Sequence, residues 1–176
     1  MKENIHFFSQ NETVKKGVDL EKLGQRGRQA YEFAELALPI LPGFIIDADL
    51  AAKLGEDKVG ELIRPGLRKA EDLVGKTFGD AQNPLLLKIV VSPNLAISNY
   101  PTLHNFGLAK DTVKGFASWV GDNFAAHEVL FLVRGMLAVE DRIAELEGRE
   151  KDCEALRALD KTVVKANDIS YAKMIA

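Results

Sequence analysis

The sequence holds a single cysteine, Cys153, in 176 residues. That excludes an internal disulfide and fits a reducing compartment. Its neighbours Asp152 and Glu154 are acidic, which raises rather than lowers a thiol pKa and argues against a catalytic cysteine. An excess of one charge is also missing. The 23 Lys+Arg face 26 Asp+Glu, for a formal net charge of -3, so no basic field draws nucleic acid and no local basic patch stands out. Long apolar runs are absent. The two longest, 36–46 and 85–91, are interrupted by Pro39 and Pro42 or contain Lys88, far short of the roughly 20 residues that span a membrane. Met1-Lys2-Glu3-Asn4-Ile5-His6 lacks the apolar run of a signal peptide, so a cytoplasmic protein with no membrane or nucleic-acid partner is expected.

What is present is an ordinary globular mixture, 47% apolar and 28% charged, which argues against disorder, a collagen-like repeat and a disulfide scaffold. The length suits one domain, or one with an appendage.

Ile5-His6-Phe7-Phe8 predicts a short opening strand, and the polar stretch Ser9 to Asp19 a loop. From Arg28 to Leu38, apolar residues recur at helical spacing, with Tyr31, Ala34 and Leu38 on one face, and Pro39 is the expected stop. Phe44-Ile45-Ile46 reads as a buried strand, with Asp47 or Asp49 capping the next helix. A helix over 56–74 follows, with a break or kink expected at Pro65-Gly66. After a turn-rich loop at 76–84, Leu85 to Val91 is the strongest strand candidate and is expected to be central, being apolar on both faces. Residues 92–107 read as a long connection. With Asp111 as a cap, helices are then expected over 111–120, 122–146 and 150–168, broken at Gly121-Asp122 and Gly148. This order of elements predicts the α+β class.

Few residues offer chemistry. Leu23-Gly24-Gln25-Arg26-Gly27-Arg28 places a glycine-flanked basic pair at a helix start, where backbone amides and a guanidinium fork can hold phosphate oxygens. Solvated arginines at an ordinary helix start fit the same residues. The glycine spacing is neither a P-loop nor a dinucleotide fingerprint. His6, His104 and His127 are too scattered for a metal site, and His127-Glu128 lacks a second His at i+4. Ser92, Ser98 and Ser118 have no G-x-S-x-G setting. The alternating charges of 140–154 describe a solvated helix face. Phe124, Phe131, Leu132 and Met136 follow helical spacing and are expected in the core, and Trp119 is expected to pack.

Taken in order, several segments resemble the amino-terminal nucleotide-binding region of the pyruvate phosphate dikinase family. The strand at 5–8 is similar to the family's opening strand. Leu23-Gly24-Gln25-Arg26-Gly27-Arg28-Gln29-Ala30 resembles its Leu-Gly-Gly-Lys-Gly-Ala-Asn-Leu-Ala loop, one residue shorter. Ala37-Leu38-Pro39-Ile40-Leu41-Pro42-Gly43-Phe44 is similar to Gly-Leu-Pro-Val-Pro-Pro-Gly-Phe. Phe78-Gly79-Asp80-Ala81-Gln82-Asn83-Pro84-Leu85-Leu86 matches every fixed position of Phe-Gly-Asp-x-x-Asn-Pro-Leu-Leu. Asn105-Phe106-Gly107-Leu108, Thr112-Val113-Lys114-Gly115 and Phe124-Ala125 complete the series, which covers about residues 4–140.

The resemblance implies a partial ATP-grasp domain over 1–110, with the helical stretch 111–176 packed on the same unit. It also implies ATP as ligand, held by Arg26 and the backbone amides of Gln25 and Gly27. The departures bear on activity. The family's phosphate-contacting Lys falls on Arg26, and its strand Val-Arg-Ser-Gly-Ala reads Ile89-Val90-Val91-Ser92-Pro93, with Val90 in place of the Arg. Losing a charge-assisted contact of that kind costs about 1.5–3 kcal/mol. The family's methionine- and glycine-rich loop is replaced by Ala96-Ile97-Ser98-Asn99-Tyr100-Pro101, and Ala125-Ala126-His127 does not reproduce its phospho-histidine motif. The half that carries the family's metal-binding carboxylates lies outside these residues, so Mg is expected only where that half is supplied, and no metal or catalytic residue is assigned here. Two readings stand: an ATP- or phosphate-binding part of a phosphotransferase, not catalytic alone, or a silent regulatory module whose partner is another protein or a second copy.

Overall fold

The structure, a computed structural model, describes residues 5–10, 17–51, 55–92 and 100–165. Parts of three expectations lie outside them: 11–16 of the first loop, 93–99 of the long connection, and the last turn of the helix expected to reach 168. The fold is α+β, as its residue order predicts, and its contacts form two compact units. One comprises Met1–Gly75 with Val91–Asn99, the other Lys76–Val90 with Tyr100–Ala176.

In the first unit, β1 (Ile5–Phe8) pairs antiparallel with β2 (Gly43–Ile46), Ile5 opposite Ile46 and Phe8 opposite Gly43. α1 (Gly24–Glu35) packs on β1, and α3 (Glu56–Val74) packs on β2. α1 begins four residues before the predicted Arg28, because the glycines enter the helix instead of forming a loop before it. Its end is also set locally. Ala37 takes a left-handed conformation (φ 52°), its N–H donates to the Ala34 carbonyl, and the Leu38 N–H donates back to the Phe33 carbonyl. That pair of bonds closes the helix at Glu35, four residues before Pro39. Asp47 accepts a hydrogen bond from the Leu50 N–H (2.8 Å) and so caps the short α2 (Ala48–Ala51).

α3 runs unbroken through Pro65, where the sequence predicts a break or kink. Gly66 has a packing role there. A Cβ on it would lie 2.6 Å from the Phe44 ring, so only glycine lets β2 approach the helix this closely. The Lys69 ammonium lies 4.2 Å from the centroid of Phe7, a cation–π contact between the same helix and β1.

In the second unit, β3 (Leu87–Ile89) pairs antiparallel with β4 (Leu103–Phe106), Leu87 opposite Phe106, with an irregularity before Ile89 meets Leu103. The central strand expected over 85–91 is thus three residues of a two-stranded sheet, with Lys88 and Ile89 exposed. Its first residue, Leu85, is instead buried beside Pro84 of the preceding turn. β4 lies inside the stretch read as connection. α4 (Val113–Val120) starts after Thr112, not Asp111. The Thr112 hydroxyl donates to the Gly107 carbonyl (2.7 Å) and accepts from the Ala109 N–H (2.9 Å).

α5 (Asp122–Leu146) matches its predicted bounds and folds back into α6 (Glu150–Lys165). Arg134–Asp160 and Arg157–Asp141 ion pairs, each 2.9 Å, fix the antiparallel register. The core gathers Leu108, Val113, Phe116, Ala117, Ala125 and Leu132, with Leu86 and Val129 against it. Leu132 is core as expected. Phe124, Phe131 and Met136 are not: they are 52%, 46% and 48% exposed, although Phe131 still leans on His104 of β4 and Phe124 on Phe116 of α4.

Candidate functional site

The segment Leu23–Arg28 forms the first turn of α1 and its entry. Leu23 and Gly27 are buried, while Gln25, Arg26 and Arg28 are exposed. A Cβ on Gly27 would sit 2.9 Å from the Leu23 Cβ and 3.2 Å from Ile45 Cδ1, so this glycine seats α1 against β2. Its N–H is the first in the helix with an intrahelical acceptor. The Gly24 N–H donates to the Glu21 carbonyl (3.2 Å), and the Arg26 N–H donates to Ser92 Oγ (3.0 Å). Backbone donors at this helix start are largely engaged within the protein.

The two arginines differ. Arg28 donates to Glu32 one helical turn on (2.9 Å), which neutralises its charge locally. Among the described residues the Arg26 guanidinium has no ion-pair partner. It is the cation of this segment open to an anion. Residue order alone does not separate the two, apart from the Arg28–Glu32 spacing. The sequence offers no G-x-S-x-G setting for Ser92, and in the structure its hydroxyl meets α1. The signal for that role is Leu23, an N-cap residue with no side-chain oxygen, which leaves the cap to be supplied from elsewhere.

The fully matched segment 78–86 is a closed turn. Thr77 and Leu85 are joined by a Leu85 N–H to Thr77 carbonyl bond (2.9 Å). Asp80 Oδ1 accepts from the Gln82 and Asn83 N–H groups, both 2.7 Å, and these bonds hold its carboxyl below the usual range. Phe78 stacks on Phe106 at 5.9 Å, and Pro84 is fully buried. Gly115 of α4 closes the arrangement, since a Cβ there would lie 2.3 Å from the Ala81 carbonyl oxygen. Every fixed residue of this motif that the structure explains serves architecture.

Val90, just past β3, is 38% exposed and offers no charge. The histidines stay apart. His6 faces Asp47 (3.7 Å) and the edge of Tyr31, His104 leans on Phe131, and the largely exposed His127 lies beside Glu128. Among the described residues no group of three or more His, Cys, Asp or Glu could hold a metal ion, and no helix is long and apolar enough to cross a membrane. Cys153 is buried between α5 and α6. Burial pushes its thiol up, with a hydrogen bond to Asp141 and that residue's charge adding to it, rather than the sequence neighbours Asp152 and Glu154. The carboxylates of 140–154 pair with arginines: Glu145 with Arg142 (2.7 Å) and Arg157 (2.9 Å), and Glu147 with Arg149 (2.7 Å). Trp119 packs its edge on Phe116 and carries the Lys76 ammonium 3.3 Å from its ring centroid.

No family model matches the chain. Among curated proteins, it is 51% identical over 148 residues to "Pyruvate, phosphate dikinase" of Treponema pallidum, covering 84% of this chain and 16% of that one. It is 30% identical over 114 residues to "Pyruvate, phosphate dikinase 2" of Zea mays, covering 60% of this chain and 13% of that one. It is 26% identical over 125 residues to "Pyruvate, phosphate dikinase" of Rhizobium meliloti, covering 67% and 14%. The chain therefore spans about a sixth or less of the length of these relatives.

Proposed function

The chain is homologous to a segment of pyruvate, phosphate dikinase, and from that premise we propose that it is the ATP- or phosphate-binding part of an ATP-grasp phosphotransferase, not catalytic alone. The observation that carries this reading is the Arg26 guanidinium, exposed in the first turn of α1 and unpaired among the described residues. A guanidinium fork binds two oxygens of a polyphosphate at once, and the positive end of the helix dipole adds to the attraction.

Arg26 acts here as an anchor: it holds and orients the phosphates and moves no proton. Phosphoryl transfer also needs the charge that develops on the transferred group to be neutralised. Val90 supplies none. A Mg ion has no fitting donor set among the described residues. Transfer to or from pyruvate and phosphate therefore waits on dikinase residues beyond these. Isothermal titration with MgATP tests the reading. Saturable heat, weakened in Arg26→Ala, supports it, and no heat at millimolar nucleotide ends it.

One observation favours the second reading, a protein-interaction module. In the second unit, Trp119 and Phe124 flank Phe116, at ring-centroid distances of 6.1 Å and 6.5 Å, and both are about half exposed, as is Phe131 two turns along α5. Exposed aromatic rows of this kind mark association surfaces. Size-exclusion chromatography with light scattering discriminates. A dimer lost in Phe124→Asp supports this reading, and a monomer that binds MgATP supports the first.

A further inference from the structure

Ser92 is buried, 7% exposed, and lies 66 residues from the helix it touches. Its Oγ accepts a hydrogen bond from the Arg26 N–H at 3.0 Å. In α1, Leu23 is the N-cap residue and makes no side-chain cap bond. Gly24, Gln25 and Arg26 therefore hold the amides at the first, second and third helical positions, and the third is the one an N-cap oxygen ordinarily satisfies. A phosphate oxygen bound at a helix start takes the same place.

We propose that Ser92 is an internal stand-in for an anion oxygen: it closes the Arg26 amide to phosphate, leaves recognition to the Arg26 side chain, and thereby sets how tightly a polyphosphate binds. The inference rests on the phosphate-binding reading above and names the residue that limits it. Removing the hydroxyl has two opposed consequences. The helix loses its cap and the protein loses stability. The freed amide gains a partner only when an anion arrives, so affinity rises. A residue with a merely structural role lowers both.

The test is a pyrophosphate titration of the 176-residue chain and of Ser92→Ala and Ser92→Thr, followed by calorimetry and by the backbone amide resonance of Arg26. Ser92→Ala is expected to bind about five-fold tighter, the worth of one net hydrogen bond, while its melting temperature falls by roughly 2–4 °C. Its Arg26 amide exchanges faster and shifts with pyrophosphate. Ser92→Thr keeps the hydroxyl and follows the natural chain. In the natural chain the Arg26 amide stays put during the titration while its side-chain Nε–H moves, and this measurement decides even if Ser92→Ala fails to fold. Unchanged or weaker binding in Ser92→Ala overturns the proposal, as does an Arg26 amide that shifts with pyrophosphate in the natural chain. Binding by Ser92→Ala alone keeps the Ser92 inference and removes the reading that the natural chain binds phosphate. Equal binding by both does the reverse, and binding by neither removes both.

Discussion

The turn at 77–86 and the start of α1 carry two of the quoted motifs, yet they are built in opposite ways. In the turn, Asp80 is satisfied by two backbone amides, Pro84 is fully buried, and Gly115 leaves no room for a side chain. At the start of α1 the backbone is equally well tied, through Gly24, Arg26 and Gly27, but one guanidinium is left open at the surface. A sequence match therefore reports different things in the two places. At 78–86 it reports a shape that the chain cannot change without unfolding. At 23–28 it reports a shape that leaves one guanidinium open at the surface.

Substitutions at the two places should separate sharply. Gly115→Val drives a side chain into the Ala81 carbonyl, and a loss of about 3 kcal/mol or more is expected in denaturant unfolding. A loss below about 1 kcal/mol would mean that the turn yields, and the contrast would fail. At the other end of α1, Ala37→Gly removes the cost of a left-handed non-glycine residue and should stabilise by about 1 kcal/mol in the same assay.

Asp80→Ala should lower the melting temperature by an amount that depends on pH. The folded carboxyl is held below its unfolded value, so its contribution is fully present above about pH 4 and disappears as pH falls through the folded value. The melting difference between the natural chain and the variant should accordingly be constant near neutrality and close in acid. A difference that grows in acid would contradict the assignment. Arg26→Ala should change stability least, by less than about 0.5 kcal/mol, since the side chain is exposed and unpaired among the described residues.

Much of this architecture is legible in residue order. α5 is bracketed by Gly121 and Gly148, both with positive φ, and its predicted ends are the observed ones. The Ala37 conformation is not legible there: apolar spacing runs on to Leu38, whereas the helix ends at Glu35. Other features are tertiary and leave no local trace. The apolar run from Leu85 to Val91 reads as a central strand, but Pro84 and Leu85 are consumed by the turn and only three residues pair. Phe124 and Phe131 follow core spacing, yet each is about half exposed, since helical period alone does not say whether a neighbouring element covers the face. At the candidate site, Arg26 was legible as a cation at a helix start. Its freedom was not, because residue order does not say whether an acidic side chain from a distant part of the chain folds against it. The Ser92 cap was hidden for the same reason: a contact across 66 residues has no periodicity to betray it.

The central proposal is that the Arg26 guanidinium binds phosphate. Calorimetric titration of MgATP into the natural chain and into Arg26→Ala tests it most directly. The account predicts saturable binding that the substitution weakens by about tenfold or more, a loss in the range of a hydrogen bond to a charged group, with the melting temperature of the unliganded protein unchanged. No binding to the natural chain, or equal binding by both, would contradict it.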